Sequence, residues 1–109
     1  MATKWIAQEQ ITVDDTAAGV AITTSKYVPT ADDNKNVFIA EFHLKSGGPI
    51  YHTDRTDSDN PSVTGANGEH YETVGSKWRI TGSYNIADWR GIREGATSGV
   101  IQVNLYGAD

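Results

Sequence analysis

The stretch NIADWRGIREGATSGVIQVNLYG, residues Asn85–Gly107, carries the clearest structural signal in the chain. Near its end, apolar side chains alternate with polar or amphipathic ones, and the apolar members are Ile101, Val103 and Leu105. Such alternation is typical of an antiparallel strand that buries one face. We therefore expect a strand over Val100–Tyr106 whose apolar face lies in the core.

The residues just before this strand predict its partner. Ile86–Arg93 has the composition of an aromatic-bearing strand, and Gly95 and Gly99 bracket a short polar turn. Glycine adopts positive φ at little cost, as hairpin loops of this length require. The sequence therefore predicts a β-hairpin that pairs Ile86–Arg93 with Val100–Tyr106.

The rest of the chain consists of short apolar or alternating segments separated by Gly, Asp, Asn and Ser. Apolar residues nowhere recur at helical spacing over several turns, so we expect little or no helix. The other predicted strands are Trp5–Val13, Val20–Val28, Val37–Lys45, Ile50–Thr53, His70–Val74 and Lys77–Thr81. About seven or eight short strands with frequent turns predict an all-β fold, an antiparallel β-sandwich of jelly-roll type.

Length and composition constrain this fold further. The chain has 109 residues, 38% of them hydrophobic, which predicts a single domain over residues 1–109 with one core. Val37–Lys45 begins apolar on both faces and is expected to lie centrally in its sheet. Residues 1–13 have a weak apolar signal, so we expect an edge strand or an arm that crosses to a neighbouring subunit. The absence of cysteine excludes disulfides, thiolate zinc sites and a cysteine nucleophile.

The charge balance bears on partners. The formal charge is −5, from 14 acidic and 9 basic residues, which argues against a surface that neutralises nucleic-acid phosphates. No apolar run approaches the ~20 residues of a membrane helix, and the N-terminus lacks the apolar region of a signal peptide. We expect a soluble protein made in the cytoplasm, with neither nucleic acid nor membrane as a partner.

Asp54–Gly68 is a long acidic loop with one aliphatic side chain, and loops of this length are usually functional or ordered by a partner. Several of its side chains carry oxygen ligands that calcium accepts. An EF-hand counted from Asp57, however, has Ser62 where the turn glycine belongs and Gly68 where the bidentate glutamate belongs. A solvated loop is the preferred interpretation, with a nonstandard calcium site as the alternative.

Residue types used in catalysis are present without the spacing that catalysis requires. His43, His52 and His70 fall on different predicted strands, with no His-x-His or His-Glu-x-x-His pattern to set metal geometry. We interpret them as independent surface or rim histidines. No Gly-x-Ser-x-Gly elbow and no glycine-rich phosphate loop accompanies them. The sequence predicts no catalytic residues and no cofactor, so we expect a protein that is not an enzyme.

Aromatic side chains suggest a second type of function. The chain contains three tryptophans and five tyrosines. A row of such rings on one face of a β-sandwich could stack on sugar rings, which makes a carbohydrate-binding module the alternative interpretation. Tryptophan and tyrosine are also enriched in cores and subunit interfaces, and we favour that location for them.

A familiar order of strand and turn residues runs through the second half of the chain. Ile50–Gly107 passes from an aromatic strand through a Thr-Asp-rich turn and spaced glycines to an Arg-x-Ile-Arg-x-Gly-Ala-Thr-Ser-Gly segment. The residues concerned are Thr53–Asp57, Gly68, Gly75, Ile80, Gly82 and Arg90–Gly99. In these features the segment resembles small structural proteins of tailed bacteriophages.

The resemblance implies a β-sandwich component of a phage virion that decorates or cements the capsid shell at subunit junctions, with a tail or fibre component as the alternative. It implies a homotrimer on the capsid surface, with the major capsid protein and copies of itself as partners. The candidate interface residues are Trp5, Ile6, Asp54, Arg55, Asp57, Asp59, Arg90, Arg93 and Tyr106. For Arg90 and Arg93, structural ion pairs with the neighbouring Asp88 and Glu94 are favoured over pairs across an interface.

Overall fold

The computed structural model describes residues 3–23, 37–54, 63–64 and 70–108. In chain order its strands are β1 (Thr3–Val13), β2 (Val37–Gly47), β3 (Ile50–Thr53), β4 (His70–Glu72), β5 (Lys77–Thr81), β6 (Arg90–Arg93) and β7 (Gly99–Ala108). One short helix, α1 (Ser83–Asp88), lies between β5 and β6. No helix among these residues is long and apolar enough to cross a membrane.

Two antiparallel sheets build the fold. The larger sheet has the strand order β1-β7-β2-β5, and the smaller sheet has the order β4-β3-β6. Every pair of neighbouring strands in them is antiparallel. The predicted all-β class and the sandwich-like arrangement of antiparallel sheets are thus confirmed, whereas the jelly-roll topology stays a prediction.

The core lies between the two sheets, and β7 supplies its centre. Ile101, Val103 and Leu105 are fully buried, as their alternation predicted. Phe42 from β2 and Ile50 from β3 join them from the larger and the smaller sheet. Burying one such side chain contributes about 1.5–3 kcal/mol, so this shared cluster is what holds the sheets together.

The positions of β1 and β2 agree with the sequence. β2 lies between β7 and β5, which confirms its predicted central place. β1 is the edge strand of the larger sheet and pairs with β7 of the same chain along its whole length, while the arm to a neighbouring subunit stays a prediction. Burial increases along β1, from an exposed Thr3 to a fully buried Val13, because only its second half covers the core.

The predicted hairpin is wrong. β6 pairs with β3 in the smaller sheet, whereas β7 pairs with β1 and β2 in the larger one. A strand offers only two edges, and both edges of β7 are occupied by strands distant in sequence. The connection from β6 to β7 therefore crosses between the sheets, and neither Gly95 nor Gly99 has positive φ. Gly99 serves close packing instead, because a Cβ there would lie 2.7 Å from Ile50.

Two other segments differ from the prediction. Ile86–Asp88 belongs to α1 and not to a strand. The helix has only six residues and buries one apolar side chain, Ile86, so it leaves no helical period in the sequence. In the predicted strand Val20–Val28, Val20 forms an isolated bridge to Gly91 and residues 21–23 form no strand; the remainder lies outside the described residues.

Candidate functional site

The outer face of the larger sheet, which is the face turned away from the core, carries side chains in rows that cross all four strands. Residues opposite each other on antiparallel strands point to the same face, so the register defines these rows. From β1 through β7 and β2 to β5, the first row is Gln10, Gln102, His43 and Lys77; the second is Gln8, Asn104, Glu41 and Arg79; the third is Trp5, Tyr106, Ile39 and Thr81. The first two rows are polar, and the third is largely aromatic and aliphatic.

Polar groups of this face contact one another. Arg79 Nη2 lies 3.0 Å from Glu41 Oε2, and both side chains remain substantially exposed. The Tyr106 hydroxyl also hydrogen-bonds to Glu41, which raises the pKa of Tyr106 because the carboxylate favours the neutral phenol. Gln102 Nε2 donates to Gln8 Oε1 at 3.5 Å. A single carboxylate thus organises the middle of the face.

The same face is indented. A depression of about 460 Å³ is lined by Glu41, Phe42, His43, Lys77, Trp78, Arg79, Gln102 and Asn104. A second depression of about 380 Å³ is lined by Thr3, Ile39, Glu41, Arg79 and Tyr106. Because Glu41 and Arg79 line both, the two depressions adjoin and link the polar rows to the aromatic one.

Two of the predicted interface residues, Trp5 and Tyr106, meet at the aromatic end of this face. Trp5 is 53% exposed and lies opposite Tyr106 in the strand register. The register shifts between Trp5 and Ala7, so Ile6 is the extra residue of a bulge, and its side chain packs partly against the core. The bulge also places Trp5 and Gln8, three residues apart, on one face, which simple alternation does not predict.

The outer face of the smaller sheet carries a different surface. Tyr71, Tyr51 and Ile92 form a row across β4, β3 and β6. The rings of Tyr51 and Tyr71 have centroids 5.3 Å apart, and Tyr71 is 51% exposed. Arg90 lies on the same face one step further along β6, opposite Thr53. We call Tyr71, Tyr51, Ile92 and Arg90 the tyrosine face, whereas Thr53 is only 2% exposed and is not displayed on it.

The contacts of Arg90 and Arg93 differ from the predicted ion pairs. Arg90 Nη1 donates to the main-chain oxygens of Ala87 and Trp89, at 2.8 and 2.7 Å. Arg93 Nη2 pairs with Asp15 Oδ2 at 3.1 Å, across 78 positions of sequence. Arg93 lies on the opposite face of β6 from Arg90, so the two arginines do not form one cationic patch.

A column of stacked rings crosses the core between the sheets. Its members in order are His70, His52, Trp78 and Phe42, with successive centroid distances of 4.9, 4.5 and 5.1 Å. His52 and His70 are opposite each other on β3 and β4. The interpretation of the histidines as independent surface or rim residues is therefore wrong for His52, which is buried, whereas His70 is exposed but stacks on it. Only the strand register brings them together.

His52 is buried and both of its ring nitrogens have partners. Trp89 Nε1 donates to Nδ1 at 3.3 Å, and Nε2 lies 3.0 Å from Glu72 Oε2. Since Nδ1 accepts, the ring proton of the neutral form lies on Nε2 and is donated to Glu72. Burial lowers the pKa of His52 below 6.5, although the hydrogen bond and the charge of Glu72 act in the opposite direction. The arrangement holds a neutral histidine as a structural link between the sheets.

The remaining predicted residues add no further site. Asp54 follows β3 and is half-buried, while Arg55, Asp57 and Asp59 lie outside the described residues. Within the described ranges, no group of three or more His, Cys, Asp or Glu side chains could hold a metal ion. Alternation in β2, β5 and β7 identifies the outward residues, but the sequence does not show which strands are neighbours.

Comparisons of the chain with protein-family models, with curated proteins and with solved structures found no match.

Proposed function

We propose that this chain is a non-enzymatic structural protein of a phage virion, which decorates or cements the capsid shell at subunit junctions. Its partners on this proposal are the major capsid protein and further copies of itself, arranged as a homotrimer on the capsid surface. The support comes from the resemblance of Ile50–Gly107 to tailed-phage structural proteins and from the place of that segment in the fold.

One observation carries the proposal. The two most characteristic parts of the resembling segment, the residues around Thr53 and the Arg90–Arg93 strand, lie side by side as β3 and β6. Together they display the tyrosine face. The glycines of the same segment have structural reasons: Gly75 and Gly82 have positive φ, and a Cβ on Gly91 would lie 2.8 Å from the Trp89 ring. Of the resembling residues, Arg90 and Ile92 contribute side chains to the tyrosine face.

The chemistry of this face suits a protein interface. Tyrosine and arginine are enriched among interface residues that contribute most to binding, because they combine apolar area with hydrogen-bonding groups. Tyr71 is half exposed and Arg90 is oriented by two main-chain oxygens, so neither side chain requires large reorganisation before contact. A cement protein that buries this face against the shell stabilises the assembled state by linkage, since it binds that state and not the separate subunits.

Binding to capsids tests the proposal directly. Purified protein is added to capsids that lack it, and bound protein is measured by co-sedimentation and located by electron microscopy. We expect density at three-fold or quasi-three-fold positions of the shell, and a large loss of binding for Tyr71→Arg. The matched control is Tyr84→Arg, which changes an 80% exposed tyrosine of α1 outside the tyrosine face.

Two outcomes contradict the capsid role. One is absence of density from heads with density on tails, which assigns the chain to the tail or fibre alternative. The other is equal binding of both arginine variants, which removes the tyrosine face from the interface. Light scattering of the free protein gives the oligomeric state, and a trimer is the expected result.

A further inference from the structure

We propose that the outer face of the larger sheet is a binding site for a neutral oligosaccharide. The site consists of the three cross-strand rows, from the polar residues beside His43 to the aromatic residues beside Trp5. It does not depend on the capsid role, because the tyrosine face lies on the other sheet and points the opposite way.

The polar rows supply the hydrogen bonds that sugar hydroxyls require. Four amide side chains lie next to one another across β1 and β7: Gln8, Gln10, Gln102 and Asn104. Each amide both donates and accepts, and so does a sugar hydroxyl, so neighbouring amides match neighbouring hydroxyls. Gln102 and Gln8 contact each other only at the limit of hydrogen-bond length, 3.5 Å, which leaves that pair available for exchange with a ligand.

The aromatic row supplies the apolar contact. Trp5 and Tyr106 are adjacent on the same face, and Trp5 is 53% exposed. An exposed tryptophan offers a ligand a large, rigid apolar ring with an N–H group at its edge. The C–H face of a sugar ring is an apolar plane bordered by hydroxyls. It can lie on the indole while its hydroxyls reach the second row.

The shape of the face matches a short chain of sugars. The depressions of about 460 and 380 Å³ adjoin at Glu41 and Arg79 and together follow the rows along the strands. Successive rows are two residues apart on the central strands, so three rows span roughly 14 Å at ~3.4 Å per residue. Several rings of an extended oligosaccharide can therefore lie along the face at once.

The charges favour a neutral ligand. The rows carry two basic side chains of lysine or arginine, Lys77 and Arg79, and Arg79 is paired with Glu41 at 3.0 Å, so the face has little net charge. A nucleic acid would require several cations on one surface, because phosphate neutralisation dominates such binding. Over the central strands the face offers only side chains to a ligand, because β2 and β7 are paired on both edges; an extended peptide could add a strand only at β1 or β5, beside the rows and not over them.

The test begins with the full-length protein on an array that displays neutral, sulfated and sialylated oligosaccharides, because multivalent display detects weak sugar binding. The best-binding sugar is then titrated into the protein by calorimetry. We expect Trp5→Ala to weaken binding at least about tenfold, from loss of the ring contact. Asn104→Ala, in the second row, is expected to weaken it by a similar factor while Tyr71→Ala on the smaller sheet leaves it unchanged.

Circular dichroism and thermal melting verify that each variant remains folded, and Asn104→Ala keeps the test valid if Trp5→Ala does not fold. The proposal is overturned if no neutral oligosaccharide binds or if only sulfated or sialylated sugars bind. It is also overturned if Tyr71→Ala abolishes binding while Trp5→Ala and Asn104→Ala retain it. Binding to capsids is unaffected by any of these results, so failure here is separable from failure of the capsid role.

Discussion

The stability of this protein should decrease as the pH falls from 7.5 to 5.5, and His52 should be the main cause. Its side chain is 2% exposed and links the two sheets through the ring column. Trp89 Nε1 donates to Nδ1, so a proton added there would face another donor. The other nitrogen already donates to Glu72. Protonation therefore removes one hydrogen bond and places a charge in the core.

The sign of the effect follows from the direction of the pKa shift. In the unfolded chain the histidine binds a proton near pH 6.5, whereas burial lowers its pKa in the folded protein. Between these two values the unfolded state binds more protons, so the free energy of unfolding decreases as the pH decreases. The contribution of His52 is fully present above pH 6.5 and is lost progressively towards the folded-state pKa.

The magnitude is limited by the titration of one group. A single histidine changes the free energy of unfolding by at most about 1.4 kcal/mol per pH unit. From pH 7.5 to 5.5 the histidine of the unfolded chain binds its proton mainly below pH 6.5, so we expect a loss of no more than about 1.4 kcal/mol. Glu72, His70 and Asp54 also act on His52 electrostatically.

Urea denaturation followed by circular dichroism at pH 7.5, 6.5 and 5.5 measures the effect. His52→Gln should be less stable than the wild-type protein at pH 7.5 by about 1–3 kcal/mol, because the amide does not fill both hydrogen bonds and the stacked column. Its stability should then change little down to pH 5.5. The control is His43→Gln, on the outer face of the larger sheet, which should keep the wild-type pH dependence.

Either of two results would refute this reasoning. Wild-type protein with the same free energy of unfolding at all three pH values would mean that the buried ring has no lowered pKa. Loss of the pH dependence in His43→Gln and its retention in His52→Gln would assign the titration to the wrong histidine. Proton NMR of the C–H hydrogens of the His52 ring, followed against pH, measures its pKa independently.

Three further predictions concern packing and surface charge. Val103→Asp should prevent folding, because it places an unpaired charge at a fully buried position of β7. We expect the free energy of unfolding to fall by about 4 kcal/mol or more, so the β-sheet signal in circular dichroism should be absent. Gly91→Ala should destabilise the protein by about 1–3 kcal/mol in urea denaturation, because the new Cβ would lie 2.8 Å from the Trp89 ring. Gly95→Ala should have almost no effect, because the space around Gly95 is open. Equal midpoints for the two alanine variants would contradict that packing. Arg93→Gln should cost less than about 1 kcal/mol, as its ion pair is solvent-exposed, and a larger loss of thermal stability would mean that this pair holds β6 in place.

The sequence by itself determined the strands and the direction of their side chains. Alternation in β7 and the apolar run of β2 predicted which residues are buried, because burial of one strand face is a local consequence of the two-residue repeat. The weak apolar signal of β1 predicted either an edge strand or an arm, and did not distinguish them. The sequence did not predict elements that lack such a repeat. Helix α1 is an example, because its six residues are too few to show a helical repeat of apolar positions.

Only the tertiary structure decided which strands are neighbours. The chain around Gly95 looks like a hairpin turn, yet both edges of β7 are taken by strands far away in sequence, so β6 joins the other sheet. Pairing depends on which distant strands can bury their faces together, and no local pattern records it. The same non-local register stacks His52 on His70 and aligns Trp5 with Tyr106, Ile39 and Thr81. The candidate site is made of residues that the sequence named separately and that sheet formation alone brought together.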